Sequence, residues 1–223
     1  MSTKVLSDKK LDITEVFQSI QGEGHYSGIP CSFIRLTGCN LLCKWCDTTY
    51  AYKNGESLEI NDIINEINIF NNELVEITGG EPLLQDNVYD LIDYLHQNNN
   101  RVLLETNGSL FIDRVPEYVH IIMDIKTPSS GGYTEGYLKN LPIIKKTDEI
   151  KIVISNYNDF KWALNMCLDN NLFDYFEKPI LVQPAFGILN EQDLAAWILD
   201  SKVFFKLGIQ LHKYIFGEHV RGV

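Results

Sequence analysis

Three cysteines within eight residues are the strongest chemical signal in the chain. Cys39, Cys43 and Cys46 follow the spacing C-x3-C-x2-C. Thiolates are the usual ligands of iron–sulfur clusters, so three of them on one short loop can hold three irons of a 4Fe–4S cluster. No fourth cysteine lies nearby in a matching spacing. The fourth iron would therefore stay open to a substrate or cofactor.

Two other roles for the triad stay open at this point. A structural zinc site normally needs four ligands, and Cys31 is the available fourth, although its apolar surroundings favour a buried core residue. An electron-transfer protein of the ferredoxin type would usually show four cysteine ligands. Cys167 stands alone far downstream. We expect Cys31 and Cys167 to be free core thiols, since a chain that can bury a core in a reducing compartment needs no disulfide framework.

A second motif, Thr78-Gly-Gly-Glu-Pro82, follows the next apolar segment. Glycine lets a backbone approach a ligand closely, and a carboxylate can accept a hydrogen bond from an ammonium group. Together with the triad, and with Trp45 directly before the last cysteine, this motif resembles the radical S-adenosylmethionine (SAM) superfamily.

That resemblance implies that SAM chelates the open iron and that the reduced cluster cleaves it to a 5′-deoxyadenosyl radical. The radical does the chemistry, so no side chain is expected to be catalytic in its own right. The positions that carry over as SAM contacts are Lys44, Trp45, Cys46, Gly79, Gly80, Glu81, Asp124, Ile125, Lys126 and Gln183.

Segments that flank the triad narrow the resemblance to one family. Ser19-Ile-Gln-Gly-Glu-Gly24 precedes it, Asp47-Thr-Thr-Tyr50 follows it, and the chain ends in Arg221-Gly-Val223. From about residue 13 onwards the sequence resembles the 7-carboxy-7-deazaguanine synthase family. The resemblance implies a Mg²⁺-dependent carbon–nitrogen lyase of queuosine and deazapurine biosynthesis. Its substrate would be 6-carboxy-5,6,7,8-tetrahydropterin, whose ring contracts with loss of ammonia while SAM is regenerated.

Substrate and metal contacts follow from the same resemblance. A polar, carboxylated pterin needs several directed hydrogen bonds to fix its orientation, and a planar guanidinium fork suits its carboxylate. Thr48 is the expected Mg²⁺ ligand, since Mg²⁺ keeps few protein contacts and completes its octahedron with water and substrate oxygens. By the same resemblance, some relatives have Ser-Pro-Lys where this chain has Asp124-Ile125-Lys126. The substrate contacts that carry over are Ile20, Gln21, Gly22, Glu23, Arg35, Thr78, Glu105 and His212.

Alternating strand-like and helix-like segments must position these residues. Repeated strand–helix units require crossover connections and so a mostly parallel sheet. Predicted strands are Cys31–Leu36, Leu74–Ile77, Val102–Glu105, His120–Ile125, Glu149–Ile154, Ile180–Gln183 and Phe204–Leu207. Predicted helices are Ile60–Phe70, Asn87–Gln97, Asp159–Asp169 and Glu191–Asp200.

This pattern predicts an α/β fold: an incomplete parallel β/α barrel of the radical SAM type. A complete eight-unit barrel usually needs about 250 residues, and this chain of 223 residues shows fewer units. We expect one domain over residues 1–223, with a family-specific extension at 12–30 and a substrate-site tail at 208–223. In such folds the chemistry gathers at the C-terminal ends of the strands, where both motifs lie. The turn-rich segment Thr127–Gly136 is expected to be a functional loop.

Composition restricts the partners. With 19 Lys and Arg against 30 Asp and Glu, the net charge of −11 argues against binding a nucleic-acid backbone. No segment approaches the ~20 apolar residues of a membrane span, and the polar N-terminus predicts a cytoplasmic protein. The expected partners are a small pterin, a reductant such as a flavodoxin or ferredoxin and, by resemblance, a second copy of the chain in a homodimer.

One enzymatic alternative remains. A glycyl-radical-activating enzyme shares the cysteine triad and the GGEP motif but acts on a protein partner. It gives no reason for the Ile-Gln-Gly-Glu-Gly segment or for the Arg-Gly-Val tail.

Overall fold

A computed structural model describes residues 8–218 and 220–223 of the chain, and its central element is a nine-stranded sheet. One residue of the predicted tail, His219, lies outside the described residues. The strands are β1 (Lys10–Ile20), β2 (Pro30–Leu36), β3 (Glu56–Glu59), β4 (Leu74–Gly79), β5 (Arg101–Thr106), β6 (His120–Ile125), β7 (Glu149–Ile154), β8 (Ile180–Pro184) and β9 (Phe205–Leu207). The α-helices are α1 (Ile60–Phe70), α2 (Val88–Gln97), α3 (Tyr157–Asp169), α4 (Leu172–Tyr175), α5 (Glu191–Ser201) and α6 (Leu211–Phe216).

The sheet forms an open, mostly parallel barrel. Its strand order is β3-β1-β2-β4-β5-β6-β7-β8-β9, and every neighbouring pair from β2 to β9 is parallel. β1 pairs antiparallel with both β2 and β3. Within the described residues β3 and β9 are the two edges, so the sheet does not close on itself. The predicted partial barrel is confirmed.

Every strand and helix predicted from the sequence is present, and β6, β7 and α1 have the predicted bounds. The antiparallel strands β1 and β3 were not predicted. In β1 the alternation of apolar residues is interrupted, because the register shifts between Ile13 and Glu15. The bulge at Thr14 turns Ile13 toward the helices, whereas Phe17 faces the other side of the sheet.

Alternate residues along each strand point to opposite faces, which separates packing from chemistry. On β4, for example, Val75 and Ile77 join the large core between sheet and helices, whereas Glu76 and Thr78 point into the barrel. A second, smaller apolar cluster packs inside the barrel around Phe17. It consists of Phe17, Cys31, Phe33, Leu74, Leu103 and Ile122.

The two isolated cysteines are core residues, as predicted. Cys31 and Cys167 are free and completely buried. Among the described residues, no helix is long and apolar enough to cross a membrane.

Candidate active site

A cavity of about 580 Å³ opens at the C-terminal ends of the parallel strands. This volume lies within the range of small-molecule sites. Of the residues predicted from the sequence, the cavity is lined by Ile20, Gln21, Gly22, Glu23, Arg35, Cys39, Cys43, Trp45, Cys46, Thr48, Thr78, Gly79, Gly80, Glu105, Asp124, Lys126, Gln183 and His212. The three that do not line it are Lys44, Glu81 and Ile125.

The cysteine loop is held by the segment predicted to be a functional loop. The backbone N–H of Lys44 donates to the carbonyl of Ser130 at 2.7 Å. A Cβ on Gly132 would overlap the Sγ of Cys43. Glycine is therefore needed where this loop crosses the cysteine. Sequence reasoning missed Gly132 because a glycine in a turn-rich segment shows nothing of what it packs against.

The thiols of the triad fit an iron–sulfur cluster better than a single metal ion. Burial raises the pKa of the Cys43 thiol to about 11 and also raises that of Cys39. Iron would replace those protons, since the thiolate is the ligand. Among the described residues no three His, Cys, Asp or Glu side chains are placed to hold one metal ion. Thiolates that bind three different irons of a cubane do not converge on one point, so the triad remains compatible with the cluster.

The zinc alternative loses its fourth ligand. Cys31 lies on β2 inside the apolar cluster with Phe17 and Phe33, and it does not line the cavity. An electron-transfer protein would not need the large polar cavity that the triad shares with the rest of the site.

The GGEP motif shapes the cavity wall. At Gly79, with φ +138°, a side chain would overlap backbone atoms of Leu36. The carboxylate of Glu81 is completely buried and accepts hydrogen bonds from the Thr106 hydroxyl at 2.9 Å and from the Asn107 N–H at 2.7 Å. These bonds fix the loops after β4 and β5 against each other, and the SAM contact of Glu81 stays a prediction.

Two buried acceptors are left for a ligand. Asp124 and Gln183 line the cavity, and Oδ1 of Asp124 and Oε1 of Gln183 are buried with no hydrogen-bond partner among the described residues. Oδ2 of Asp124 is 2.9 Å from the ammonium of Lys126. Buried acceptors without partners are costly, so this pair suits the hydroxyl and amino donors of SAM. The side chain of Ile125 has the opposite strand parity and lies in the helix-facing core, so its predicted SAM contact would have to come from the backbone.

A buried lysine that the sequence analysis did not select occupies the middle of the barrel. The ammonium of Lys151 lies 2.8 Å from Glu23 and 3.1 Å from Asp124, and it also bonds Glu105. Burial favours neutral groups, but these contacts outweigh it: they raise the pKa of Lys151 and lower those of Glu23 and Asp124. The sequence could have revealed Lys151, because a lysine among apolar strand residues is unusual. It also lies two positions from Glu149, on the same face of the strand.

Gln21 is fixed by two neighbours. Its Oε1 accepts from the N–H of Glu23 at 2.9 Å, and its Nε2 donates to Glu76. Burial and the charge of Glu105 raise the pKa of Glu76 well above its ordinary value. Glu76 was also missed, although an acidic residue inside an apolar strand could have revealed it.

Arg35 lines the cavity, and the bulge in β1 determines which residue lies opposite it. The bulge places Glu15 opposite Arg35, whose Nε donates to Oε1 of Glu15 at 2.7 Å. The hydroxyl of Tyr50 donates to the same oxygen at 2.8 Å. The bond to Glu15 uses only Nε, so the terminal nitrogens of the guanidinium are left for a substrate carboxylate.

The C-terminal segment covers the cavity. The N–H of Leu211 donates to the carbonyl of Gly22 at 2.9 Å, which brings the His212 ring against Gly22. The guanidinium of Arg221 lies 3.9 Å from the ring centre of Tyr50. Burial lowers the pKa of His212, so its ring is neutral near pH 7.

Gln210 joins this tail to two parts of the site. Its Nε2 donates to Glu23 at 2.9 Å and to Asp47 at 3.0 Å. The Thr48 hydroxyl donates to Asp47 at 2.9 Å. Thr48 and Asp47 therefore lie together at the cavity wall, next to the last cysteine of the triad.

Comparison with known proteins decides between the remaining enzymatic readings. Residues 33–171 match the radical SAM superfamily. A 7-carboxy-7-deazaguanine synthase from Chlorobaculum tepidum is 39% identical over 220 residues, which cover 97% of this chain and 99% of that protein. One from Koribacter versatilis is 38% identical over 226 residues, covering 96% and 100%.

The chain belongs to the 7-carboxy-7-deazaguanine synthase family. The crystal structure of QueE from Escherichia coli, at 26% identity, superposes with a TM-score of 0.72 and covers 91% of this chain and 95% of that one. The resemblance predicted from the motifs is confirmed. The activating-enzyme alternative is wrong, because the full-length relatives are named as synthases.

Family membership brings the cofactors of a radical SAM enzyme. The 4Fe–4S cluster and SAM belong to the superfamily, and so does the need for a reductant. The three thiols and the two unpartnered acceptors of this synthase-family chain fit those two groups.

Proposed function

We propose that this chain converts 6-carboxy-5,6,7,8-tetrahydropterin to 7-carboxy-7-deazaguanine with loss of ammonia, using SAM catalytically. The observation that carries the proposal is the shared cavity. The cysteine loop, the Ile20–Glu23 segment and the C-terminal tail all line one space, so a cofactor at the cysteines and a substrate at the tail would be neighbours.

The walls of the cavity suit a flat, carboxylated ring system. Phe17 and Phe33 stack with ring centres 4.9 Å apart and both line the cavity, which gives a planar apolar surface. The terminal nitrogens of Arg35 would bind the substrate carboxylate. Glu105 and Thr78, joined by a 3.1 Å hydrogen bond, offer an acceptor and a hydroxyl to the polar ring edge.

Cluster and SAM would supply a hydrogen-abstracting radical at the cavity. The side chains described above bind and orient the substrate, and the tail excludes water from it. Water exclusion is useful because a radical intermediate is otherwise exposed to side reactions.

Mg²⁺ is part of the proposal, with Thr48 as its protein ligand. The Thr48 oxygen lines the cavity beside Asp47, so a hydroxyl and a carboxylate are available to a hard cation that keeps most of its waters. Thr48→Ala should weaken the dependence of turnover on Mg²⁺, whereas Thr147→Ala, at an exposed threonine outside the cavity, should not. Identical Mg²⁺ titrations for wild type and Thr48→Ala would remove Thr48 from the metal site.

The remaining proposals concern the setting of the enzyme. We infer that the whole chain acts as one domain and works in the cytoplasm as a homodimer. A flavodoxin or ferredoxin would reduce the cluster.

A product assay tests the proposed function. The reconstituted chain is incubated anaerobically with the carboxy-tetrahydropterin, SAM, Mg²⁺ and a reductant, and the deazaguanine product is sought by mass. Cys43→Ala should abolish both product and SAM cleavage, whereas Cys167→Ala, at a buried thiol in the core outside the cavity, should retain them. An intact cluster with SAM cleavage but no deazaguanine would overturn the proposal.

A further inference from the structure

Lys151 contacts residues assigned to two different ligands. Glu23 and Glu105 are expected to face the pterin, whereas Asp124 is expected to face SAM. We propose that Lys151 couples the two subsites, so that bound SAM increases the affinity of the chain for the pterin. This inference rests on the proposed function and concerns the same cavity.

The geometry makes one ammonium group the shared neighbour of all three carboxylates. Lys151 Nζ lies 2.8 Å from Glu23, 3.1 Å from Asp124 and in contact with Glu105. It donates hydrogen bonds to Glu23 and Glu105 and forms an ion pair with Asp124. The side chain is 5% exposed, so bulk water does little to screen these contacts.

The three carboxylates compete for a limited positive charge. Lys126, 2.9 Å from Asp124, is the other ammonium of this group. The carboxylates of Glu23, Glu105 and Asp124 thus share the two ammonium groups of Lys126 and Lys151. If another cation binds Asp124, the Lys151 ammonium interacts less with Asp124 and more strongly with Glu23 and Glu105.

SAM carries positive charge on its sulfonium and amino groups. With these groups beside Asp124, the carboxylate has a new partner, and Lys151 is released toward Glu23 and Glu105. The potential on the pterin side then becomes more positive. An anionic pterin should bind more tightly for that reason, and by thermodynamic reciprocity the pterin should tighten SAM by the same factor.

The charge on Asp124 gives a test that separates coupling from simple structural support. In Asp124→Asn the amide keeps the shape of the side chain but releases Lys151 permanently. The variant should bind the pterin more tightly than wild type when SAM is absent, and added SAM should change that affinity little. If Asp124 only stabilised the barrel, its replacement would weaken pterin binding instead.

Equilibrium binding on the cluster-loaded enzyme under anaerobic conditions measures the effect without turnover. The Kd of the carboxy-pterin is measured with and without SAM, and the Kd of SAM with and without the pterin, in the absence of reductant. For wild type we expect SAM to tighten the pterin about 5- to 150-fold. The factor should fall toward one in both Asp124→Asn and Lys151→Met, and Lys151→Arg should restore part of it.

Surface and folding controls keep the outcomes distinct. Asp86→Asn, at an ion pair whose aspartate is 85% exposed, should leave the coupling factor unchanged. Because Lys151→Met leaves buried carboxylates unpaired and can fail to fold, the Asp124→Asn result decides in that case. An unchanged factor in Asp124→Asn, or weaker pterin binding without SAM, would overturn the inference. Failure of wild type to bind the pterin at all would overturn the proposed function as well.

Discussion

The ammonium nitrogen of Lys213 lies 2.8 Å from Oδ2 of Asp47, so helix α6 is tied to the residue directly after the last cysteine of the triad. Burial alone would raise the pKa of Asp47, but the charge and hydrogen bond of Lys213 lower it below its usual range. The carboxylate of Asp47 therefore stays ionised at neutral pH, and its contact with Lys213 holds the tail over the cavity.

Breaking the contact between Asp47 and Lys213 should weaken substrate binding but leave cluster assembly unchanged. Asp47→Asn keeps the side-chain shape but loses the charge that holds Lys213, so the tail should close less often. We expect the KM for the pterin to rise about tenfold, because a loss of this size corresponds to one charge-assisted hydrogen bond. The iron content should not change. Asp86→Asn, at an exposed ion pair, is the control. Equal KM values for Asp47→Asn and wild type would show that the tail does not depend on this pair.

A second prediction concerns the packing of the cysteine loop. In Gly132→Ala the new Cβ would overlap the Sγ of Cys43, so the thiol must move and the cluster should be lost or incomplete. Gly187→Ala is a demanding control: its φ of +69° makes alanine strained, but no atom lies within 4 Å of the added Cβ. We expect reduced iron content and visible absorbance only in Gly132→Ala. A full cluster in that variant would mean that the loop adapts freely.

Arg35 provides the test of carboxylate binding. Arg35→Ala should raise the KM for the pterin by about 10- to 100-fold, as expected for a bidentate charge-assisted contact, with little change in cluster content. Arg101→Ala is the matched control, because Arg101 is about half exposed and does not line the cavity. Unchanged kinetics in Arg35→Ala would place the carboxylate elsewhere.

Glu149 predicts a pH dependence of stability. This buried carboxylate accepts from the N–H of His25 at 2.9 Å and lies 2.8 Å from the ring of His120. Burial would raise its pKa, but the two histidines lower it below the ordinary 4.5. Its contribution is therefore complete above about pH 4.5 and is lost as the pH falls through the lower, folded-state value.

Glu149→Gln should lower the melting temperature by about 4–8 °C at pH 7, corresponding to a loss of about 2 kcal/mol. The difference from wild type should shrink below about pH 4.5. The exposed Glu73→Gln serves as the control. A difference that stays constant down to pH 4 would contradict the assigned ionisation.

The parallel barrel was predictable because its strands are apolar and its helices have one buried face. Ile60, Ile63, Ile64 and Ile67 are buried as their spacing requires. β1 was not predictable by the same means, since the bulge at Thr14 breaks its alternation and many of its residues are polar. Strand prediction from alternation fails where the register shifts.

Within the site, motifs indicated the residues near the cysteines and near the tail, but not the charges between them. Lys151 and Glu76 belong to mostly apolar strands that predict core residues. Their side chains point into the barrel because alternate residues of a strand face opposite sides of the sheet. Glu81 was assigned to SAM because its residue type suits an ammonium group. The hydrogen bonds that its carboxylate accepts come from Thr106 and Asn107, 25 and 26 residues away, and are visible only in the fold.

The most direct test of the proposed function is the number of products formed per SAM. The chain is incubated anaerobically with Mg²⁺, a reductant, SAM and a large molar excess of carboxy-tetrahydropterin over SAM. If each turnover consumed one SAM, the amount of product could not exceed the amount of SAM supplied. We predict several molecules of 7-carboxy-7-deazaguanine per SAM, with SAM recovered at the end. Accumulation of 5′-deoxyadenosine without deazaguanine would contradict it.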